Sequence, residues 1–360
     1  MPMLNDQTRK KLEKQGYRLI GNHSAVKTCG WAKSMIRGKG GCWKLKFFGI
    51  MSNQCMQMTT NMGCASNCIF CWRDYKSPIY KKWGLEIDDP QLIFEESIKQ
   101  HHKLLDGFGG DTNKNPSKLP YNESRKVKHV ALSLIGESIT YPKINELIKI
   151  INKENISIFL VTKAQYPEQI KNLSPVTQLS LSLDAPEKDL LKKIDRPFFK
   201  DYWERLNKSL EYLSKKKHRT TIRLTLMKDL NMDNPEAYAK LIKIGNPDFI
   251  NVKAYMHVGA SIERLSGSNM PSHKEVIEFS KSLLPFLEDY DIVTDYPQSW
   301  VVLLAKKKFK KDGKWFTWID FEKYFKLVNS GIEPKTEDYL KETPVTGLEE
   351  NLEGKDLLFE

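Results

Sequence analysis

The stretch "VTQLSLSLDAP", residues 176–186, alternates strictly between apolar and polar side chains. In an extended strand Leu179, Leu181 and Leu183 share one face, and Ser180, Ser182 and Asp184 share the other. The same alternation returns twice further on. In "TIRLTL" (221–226), Thr221, Arg223 and Thr225 oppose Ile222, Leu224 and Leu226. In "DFINVKAYMHV" (248–258), Asn251, Lys253, Tyr255 and His257 oppose Val252, Ala254, Met256 and Val258. Parallel strands buried on both faces read as nearly continuous apolar runs. These strands therefore pack one face under helices and turn the other toward an enclosed polar space or solvent.

The surrounding sequence supplies the helices. Strands expected at 129–138, near 157, at 176–186, 219–229 and 248–259 are separated by stretches with helical spacing of apolar residues, such as "YPKINELIKIINKE" and "KDYWERLNKSLEYLSKK". Strand–helix alternation implies a parallel sheet with crossover helices, an α/β fold. A barrel or partial barrel with a polar lumen and its site at the C-terminal ends of the strands fits this pattern. An open sheet with one wet face is the alternative. The chain of 360 residues has no apolar run long enough to span a membrane, and its first ten residues lack the apolar core of a secretory signal. The expected location is cytoplasmic.

The net charge is +12 and unevenly placed. Residues 1–50 carry eleven Lys/Arg side chains against Asp6 and Glu13. Basic runs recur at 215–219 and 306–314, and the chain turns acidic from Gly331. A solvated lysine face explains such runs; so does a polyanionic partner such as RNA, held through phosphate contacts.

All six cysteines lie between Cys29 and Cys71. With nothing pointing to secretion, such a cluster reads as metal-binding or redox-active rather than as a disulfide framework. Cys64, Cys68 and Cys71 form C-x3-C-x2-C in "NMGCASNCIFCWRDY" (61–75). Zinc takes four ligands, whereas an iron–sulfur cubane held by three thiolates keeps one iron open for a cofactor. A zinc knuckle is the alternative. Cys29, Cys42 and Cys55 repeat at C-x12-C-x12-C. They suit a second three-thiolate cluster, or three buried unligated cysteines.

"CASNCIFC" resembles the C-x3-C-x-aromatic-C signature of the radical S-adenosylmethionine superfamily. The resemblance implies a partial (β/α)6 TIM-like barrel and a [4Fe-4S] cluster whose open iron chelates S-adenosyl-L-methionine. Phe70 would lie beside the adenine, and an electron from the cluster would release a 5′-deoxyadenosyl radical. Gly136 and Glu137 stand where the superfamily has its glycine–glutamate motif, the glutamate taking the cofactor's ammonium. Thr162, Lys163, Ser182 and Asp184 stand among the cofactor contacts, with Ser182 and Asp184 toward ribose and methionine.

The arrangement as a whole resembles the archaeal-type tRNA 4-demethylwyosine synthases of wybutosine biosynthesis. The matching stretches are the C-x12-C-x12-C set, "NCIFCWRD", residues 133–142, "FLVTK" (159–163), "LSLDAP" (181–186), "VKAYMHVG" (252–259), "MPSHKEV" (270–276) and "KWFTWIDFEKY" (314–324). By this resemblance residues 1–50 form a basic N-terminal extension that contributes second-cluster cysteines. Residues 51–290 form the barrel, 291–330 the C-terminal wyosine-formation segment, and 331–360 a mobile acidic tail. The family, a carbon–carbon lyase, converts 1-methylguanosine beside the anticodon of tRNA-Phe, with pyruvate as two-carbon donor. Two [4Fe-4S] clusters are implied. Pyruvate would be chelated by the second cluster's open iron or bound as a Schiff base by Lys44, two residues after Cys42. Lys253 is the competing lysine, since strand alternation directs it with Tyr255 and His257 into the lumen. An external low-potential electron donor and a monomer are expected, and Lys33, Arg37, Lys39 and Lys46 are expected to grip the tRNA.

Three positions depart from the family pattern. Ser138 replaces proline in "GEP", Lys163 replaces the asparagine after "FLVT", and Trp300 replaces the arginine of "SRVVLL". Two other readings stay open. A methylthiotransferase is a second kind of two-cluster enzyme, though its extra cysteines are spaced more widely. A non-catalytic metal-containing RNA-binding protein explains the charge and the cysteines but not the polar strand ends.

Overall fold

Six parallel strands form the centre of the computed structural model, which describes residues 4, 6–73, 83–109 and 119–348. A helix, α1 (Asp6–Lys14), leads into an antiparallel hairpin of β1 (Arg18–Ile20) and β2 (Ser24–Lys27). Two short helices follow, α2 (Gly30–Ile36) and α3 (Trp43–Phe48). The parallel strands are β3 (Cys55–Thr59), β4 (His129–Leu132), β5 (Ser157–Thr162), β6 (Gln178–Ser182), β7 (Thr220–Leu226) and β8 (Phe249–Ala254). Between them run α4 (Pro90–Gly109), α5 (Leu119–Ser124), α6 (Ile144–Lys153), α7 (Pro167–Lys171), α8 (Lys188–Asp195), α9 (Tyr202–Leu213) and α10 (Pro235–Gly245). After α11 (His273–Leu283), β9 (Tyr290–Tyr296) and β10 (Val301–Lys306) fold back, and β10 pairs antiparallel with β8. Helix α12 (Phe321–Asn329) closes the series. The sheet order is β1-β2-β3-β4-β5-β6-β7-β8-β10-β9. This is the partial (β/α)6 barrel, with a hairpin added at each edge.

The alternation of the strands works as expected on their outer face. Leu179, Leu181, Ile222, Leu224, Ile250 and Val252 are fully buried in one cluster with the helices. Each such side chain contributes roughly 1.5–3 kcal/mol. The inner face divides by height. Toward the strands' N-terminal ends the lumen is an apolar plug of Phe47, Phe48, Ala131, Phe159, Phe249 and Phe309. Phe48 packs against Phe159 and Phe249 with ring centroids 5.9 and 5.6 Å apart. The polar side chains at this end are filled in rather than open: Gln178 donates to Thr221 Oγ1 at 2.7 Å, and the Arg219 guanidinium lies 4.3 Å from the Phe249 ring centroid, so the open polar space is shallower than an unbroken alternation predicts.

The strand expected over 129–138 stops at Leu132, and two further stretches differ from expectation. The strand expected over 248–259 ends at Ala254, where the Tyr255 N–H crosses to the Leu226 carbonyl at 2.7 Å. Beyond it the alternation stops: Tyr255 is buried in the outer core, not in the lumen. The segment from 331 packs on the body as far as 348. Tyr339 is fully buried, and its hydroxyl accepts from the Arg219 N–H at 2.9 Å. The rest of the expected tail, 349–360, lies outside the described residues.

Candidate active site

The loop after β3 carries Cys64, Cys68 and Cys71 at the C-terminal mouth of the barrel. Backbone pairing with the end of α8 fixes its path. The Asn67 and Ile69 N–H groups donate to the Asp195 and Ile194 carbonyls, and the Phe198 N–H donates to the Ala65 carbonyl, each at 2.9 Å. From the far side Arg264 donates to the Ile69 carbonyl at 2.9 Å and to the Cys71 carbonyl. Cys64 and Cys68 are buried and Cys71 half-buried. Burial pushes the Cys64 thiol up to about 11 and raises Cys68 too, with Asp195 adding to the latter.

Around this loop lies a cavity of about 160 Å³ lined by the three cysteines, Phe70, Arg73, Glu137, Thr162, Lys163, Ser182 and Arg223. Gly136 makes it possible. Its φ is +69°, and a Cβ there would stand 2.0 Å from the Asn61 carbonyl oxygen, so only glycine fits. The next residue, Glu137, is 2 % exposed and accepts from Thr162 Oγ1 at 2.9 Å and from the Lys163 N–H at 3.2 Å. Burial pushes its carboxyl up to about 7 against those two donors. Ser138, the residue in place of proline, ties the end of β3 to the glutamate loop: its Oγ lies 3.2 Å from Thr59 Oγ1 and accepts from the Thr60 N–H at 3.3 Å.

Lys163, in place of asparagine, reaches Asp184 and lies 2.9 Å from Asp195 Oδ1. Its ammonium sits 4.7 Å from the Phe70 ring centroid. Burial would depress it, but Asp184 and Asp195 more than reverse that. Asp184 itself is fully buried behind Lys163 and is not among the lining residues. Trp300 adopts a left-handed backbone conformation, φ +46°, and its carbonyl accepts from the Ala254 N–H at 2.9 Å.

The second cysteine set gathers at the opposite end of β3. Cys29 caps α2 by accepting from the Ala32 N–H, and Cys42 caps α3 by accepting from the Lys44 N–H, both at 3.3 Å. Cys55 begins β3, and Lys44 Nζ donates to its sulfur at 3.7 Å. The helix caps and the Lys44 ammonium favour thiolates here, but burial outweighs them: Cys29 is pushed up to about 11, and Cys42 is raised as well. Burial alone would depress Lys44, but Cys55, Cys42 and Cys29 hold it above the ordinary lysine value. Four strand steps separate Cys55 from the start of the first cysteine loop, roughly 13 Å. Lys253 lies on the lumen face, donates to the Ser299 carbonyl at 2.6 Å and is depressed to about 7 by burial and Arg223.

Both donor sets fit cubane clusters. Among the described residues no three His, Cys, Asp or Glu side chains are arranged as ligands of one metal ion. A cubane instead takes each thiolate on a separate iron, and each set offers three thiols within electrostatic reach of one another. The upper cavity also holds unpaired buried polar atoms, Arg73 Nη1 and Arg223 Nε, as a site for a polar cofactor would.

Not every expected residue joins the lumen. The Tyr255 hydroxyl bonds Ser261 Oγ at 2.9 Å and lies 3.0 Å from His257 Nδ1, a pair formed in the loop after β8. Lys46, expected on the tRNA surface, is turned inward: its side chain is 11 % exposed and lies 3.8 Å from the buried Asp295. Arg73, Arg223 and Arg264 were missed. Arg223 was visible on the polar face of its strand, whereas Arg264 sits in a loop with no local pattern.

Comparisons with known proteins agree with this geometry. The Radical SAM superfamily profile matches residues 58–242, and the profile for wyosine base formation matches residues 244–306. The second overlaps the expected 291–330 segment only over its first part. The S-adenosyl-L-methionine-dependent tRNA 4-demethylwyosine synthase TYW1 of Xenopus laevis is 46% identical over 349 residues, covering 95% of this chain and 47% of that protein. That of Mus musculus is 45% identical, covering 95% and 48%. The chain spans about half the length of the curated relatives it matches. A structure of TYW1 with a lysine-pyruvate adduct bound is 34% identical with a TM-score of 0.76, covering 85% of this chain and 97% of that one. The crystal structure of archaeal TYW1 is 30% identical with a TM-score of 0.70, covering 86% and 99%. Similar to two TYW1 structures over nearly their whole length, and matched by the Radical SAM profile across its barrel, this chain belongs to the TYW1 family of the Radical SAM superfamily.

Proposed function

We propose that this protein converts 1-methylguanosine beside the anticodon of tRNA-Phe to 4-demethylwyosine, with pyruvate as the two-carbon donor. The observation that carries the reading is the pairing of two three-cysteine sets at the two ends of β3, one beside Glu137 and one around Lys44. When bound, the two clusters and S-adenosylmethionine supply a reductively generated carbon radical able to take hydrogen from an N-methyl group. The chain's own residues do the rest. Glu137, held by Thr162 and the Lys163 N–H, accepts the cofactor's ammonium. The half-buried Lys44, once its ammonium has given up a proton, is the nucleophile for the pyruvate carbonyl, forming an imine with loss of water. A structure in this family carries a lysine-pyruvate adduct, which supports a covalent role.

A second assignment of the nucleophile has an observation in its favour. Only a neutral amine attacks a carbonyl, and Lys253 is the lumen lysine depressed to about 7. Reductive trapping of pyruvate followed by peptide mass mapping separates the two. The function as a whole is tested with reconstituted protein, reductant, S-adenosylmethionine, carbon-13 pyruvate and tRNA-Phe bearing 1-methylguanosine. A tricyclic nucleoside carrying two labelled carbons is expected. Deoxyadenosine formed without a new nucleoside would keep the radical chemistry and refute this substrate.

A further inference from the structure

Lys163 is a lysine in a place where burial should forbid one. Its side chain is 15 % exposed, and its ammonium bridges two carboxylates that are nearly or fully buried, Asp184 and Asp195. Its main-chain N–H meanwhile donates to both oxygens of Glu137 at 3.2 Å. The residue therefore touches each carboxylate expected at the cofactor: Glu137 through the backbone, Asp184 through the side chain. Asp184 keeps its other oxygen, Oδ1, buried without a hydrogen-bond partner. Lys163 also lies over the ring of Phe70, a residue that lines the cavity.

We propose that Lys163 is a positioning residue of the S-adenosylmethionine cavity, a clamp that fixes Asp184 and the Phe70 ring while its backbone fixes Glu137. The inference rests on that cavity's taking S-adenosylmethionine. The physical argument is one of charge. Asp184 and Asp195 both lie on the same ammonium, and without it two buried like charges face one another. Asp184 would then turn aside and lose the orientation that leaves Oδ1 unpaired. Asparagine at this position is neutral and shorter and does not neutralise the pair. The lysine that stands in place of asparagine thus engages Asp195 as well as Asp184.

The test is equilibrium dialysis of labelled S-adenosylmethionine against the full chain with its clusters reconstituted, with the electron paramagnetic resonance spectrum of the reduced cluster recorded before and after cofactor addition. Lys163→Met is expected to weaken binding at least tenfold and to abolish the cofactor-induced spectral change. Lys163→Arg, which keeps a cation able to bridge two carboxylates, is expected to stay within about threefold of the wild type. Asp195→Asn leaves the Lys163–Asp184 contact and is expected to bind within twofold. If Lys163→Met does not fold, Lys163→Met/Asp195→Asn, with one buried charge fewer, replaces it; with the repulsion gone but the bridge to Asp184 still missing, a smaller loss of at least about threefold is expected. Unchanged affinity in the folded methionine variant overturns the clamp alone. An Asp195→Asn variant as weak as Lys163→Met overturns it too, because the three groups would then act only as a structural unit. A wild type that does not bind S-adenosylmethionine overturns the cofactor assignment and the clamp with it.

Discussion

Arg264 donates a hydrogen bond to the carbonyl of Cys71, bridging 193 residues of chain to hold the last cysteine of the first set. With its second bond to Ile69 it clamps the loop from the segment after β8, from which the Ala260 N–H also donates to the Trp72 carbonyl at 3.0 Å. Charged hydrogen bonds of this kind contribute ~1.5–3 kcal/mol. Arg264→Ala is expected to lose iron from the first cluster to a chelator roughly tenfold faster, with far-UV circular dichroism unchanged. Iron loss at the wild-type rate would show that the bond does not secure the loop.

Two glycines separate strain from space. Gly136→Ala combines a φ of +69° with a Cβ 2.0 Å from a backbone oxygen, and is expected to cost about 2–5 kcal/mol. Gly107→Ala, inside α4 with open space around it, is expected to stabilise by about 0.5–1 kcal/mol. Denaturant midpoints measure both, and equal effects would refute the geometry.

Three buried histidines make the fold acid-sensitive. Burial lowers His101 to about 4, and His129 and His218 to about 3. Unfolded, each titrates near 6.5. Above that pH both states bind the same number of protons, and stability is full. As pH falls from 6.5 toward 4 the unfolded state takes up protons the native state refuses, and stability drops. At pH 5.5 each costs about 1.4 kcal/mol. Thermal melts should show a steep loss between pH 7 and 5.5, made shallower in His218→Met; an unchanged slope would contradict this.

On the RNA side, Arg37 and Lys39 are exposed and Lys33 half-buried on and after α2. Reversing all three charges is expected to weaken tRNA-Phe binding at least tenfold and to reduce the slope of log affinity against log salt by about 2. Lys46→Glu belongs to a different class. It places a carboxylate near the buried Asp295 and is expected to lower stability. Binding and its salt slope unaltered by the triple reversal would move the RNA surface elsewhere.

Much of this was readable in advance where a local rule applied. Period-two alternation in 178–182 and 221–226 identified the barrel strands because those residues do form strands with one face under helices. The cysteines were readable because thiols are rare and their spacing is rigid. The same alternation misplaced Tyr255 and His257, since a pattern in sequence does not reveal that the strand stops at Ala254. The aromatic plug escaped notice because Phe249 lies on the face read as polar, the strand of Phe159 shows no clear alternation, and their partners Phe47 and Phe48 come from another part of the chain. Lys46 and Arg264 owe their roles to residues 249 and 193 positions away, a distance no local pattern spans.

Counting iron tests most directly whether the two cysteine sets, at the two ends of β3, hold two separate clusters. Anaerobically reconstituted wild type should bind about eight irons per chain. Serine at Cys29, Cys42 and Cys55 together, or at Cys64, Cys68 and Cys71 together, should each leave about four. A wild type holding about four irons, or zinc in their place, would contradict the account.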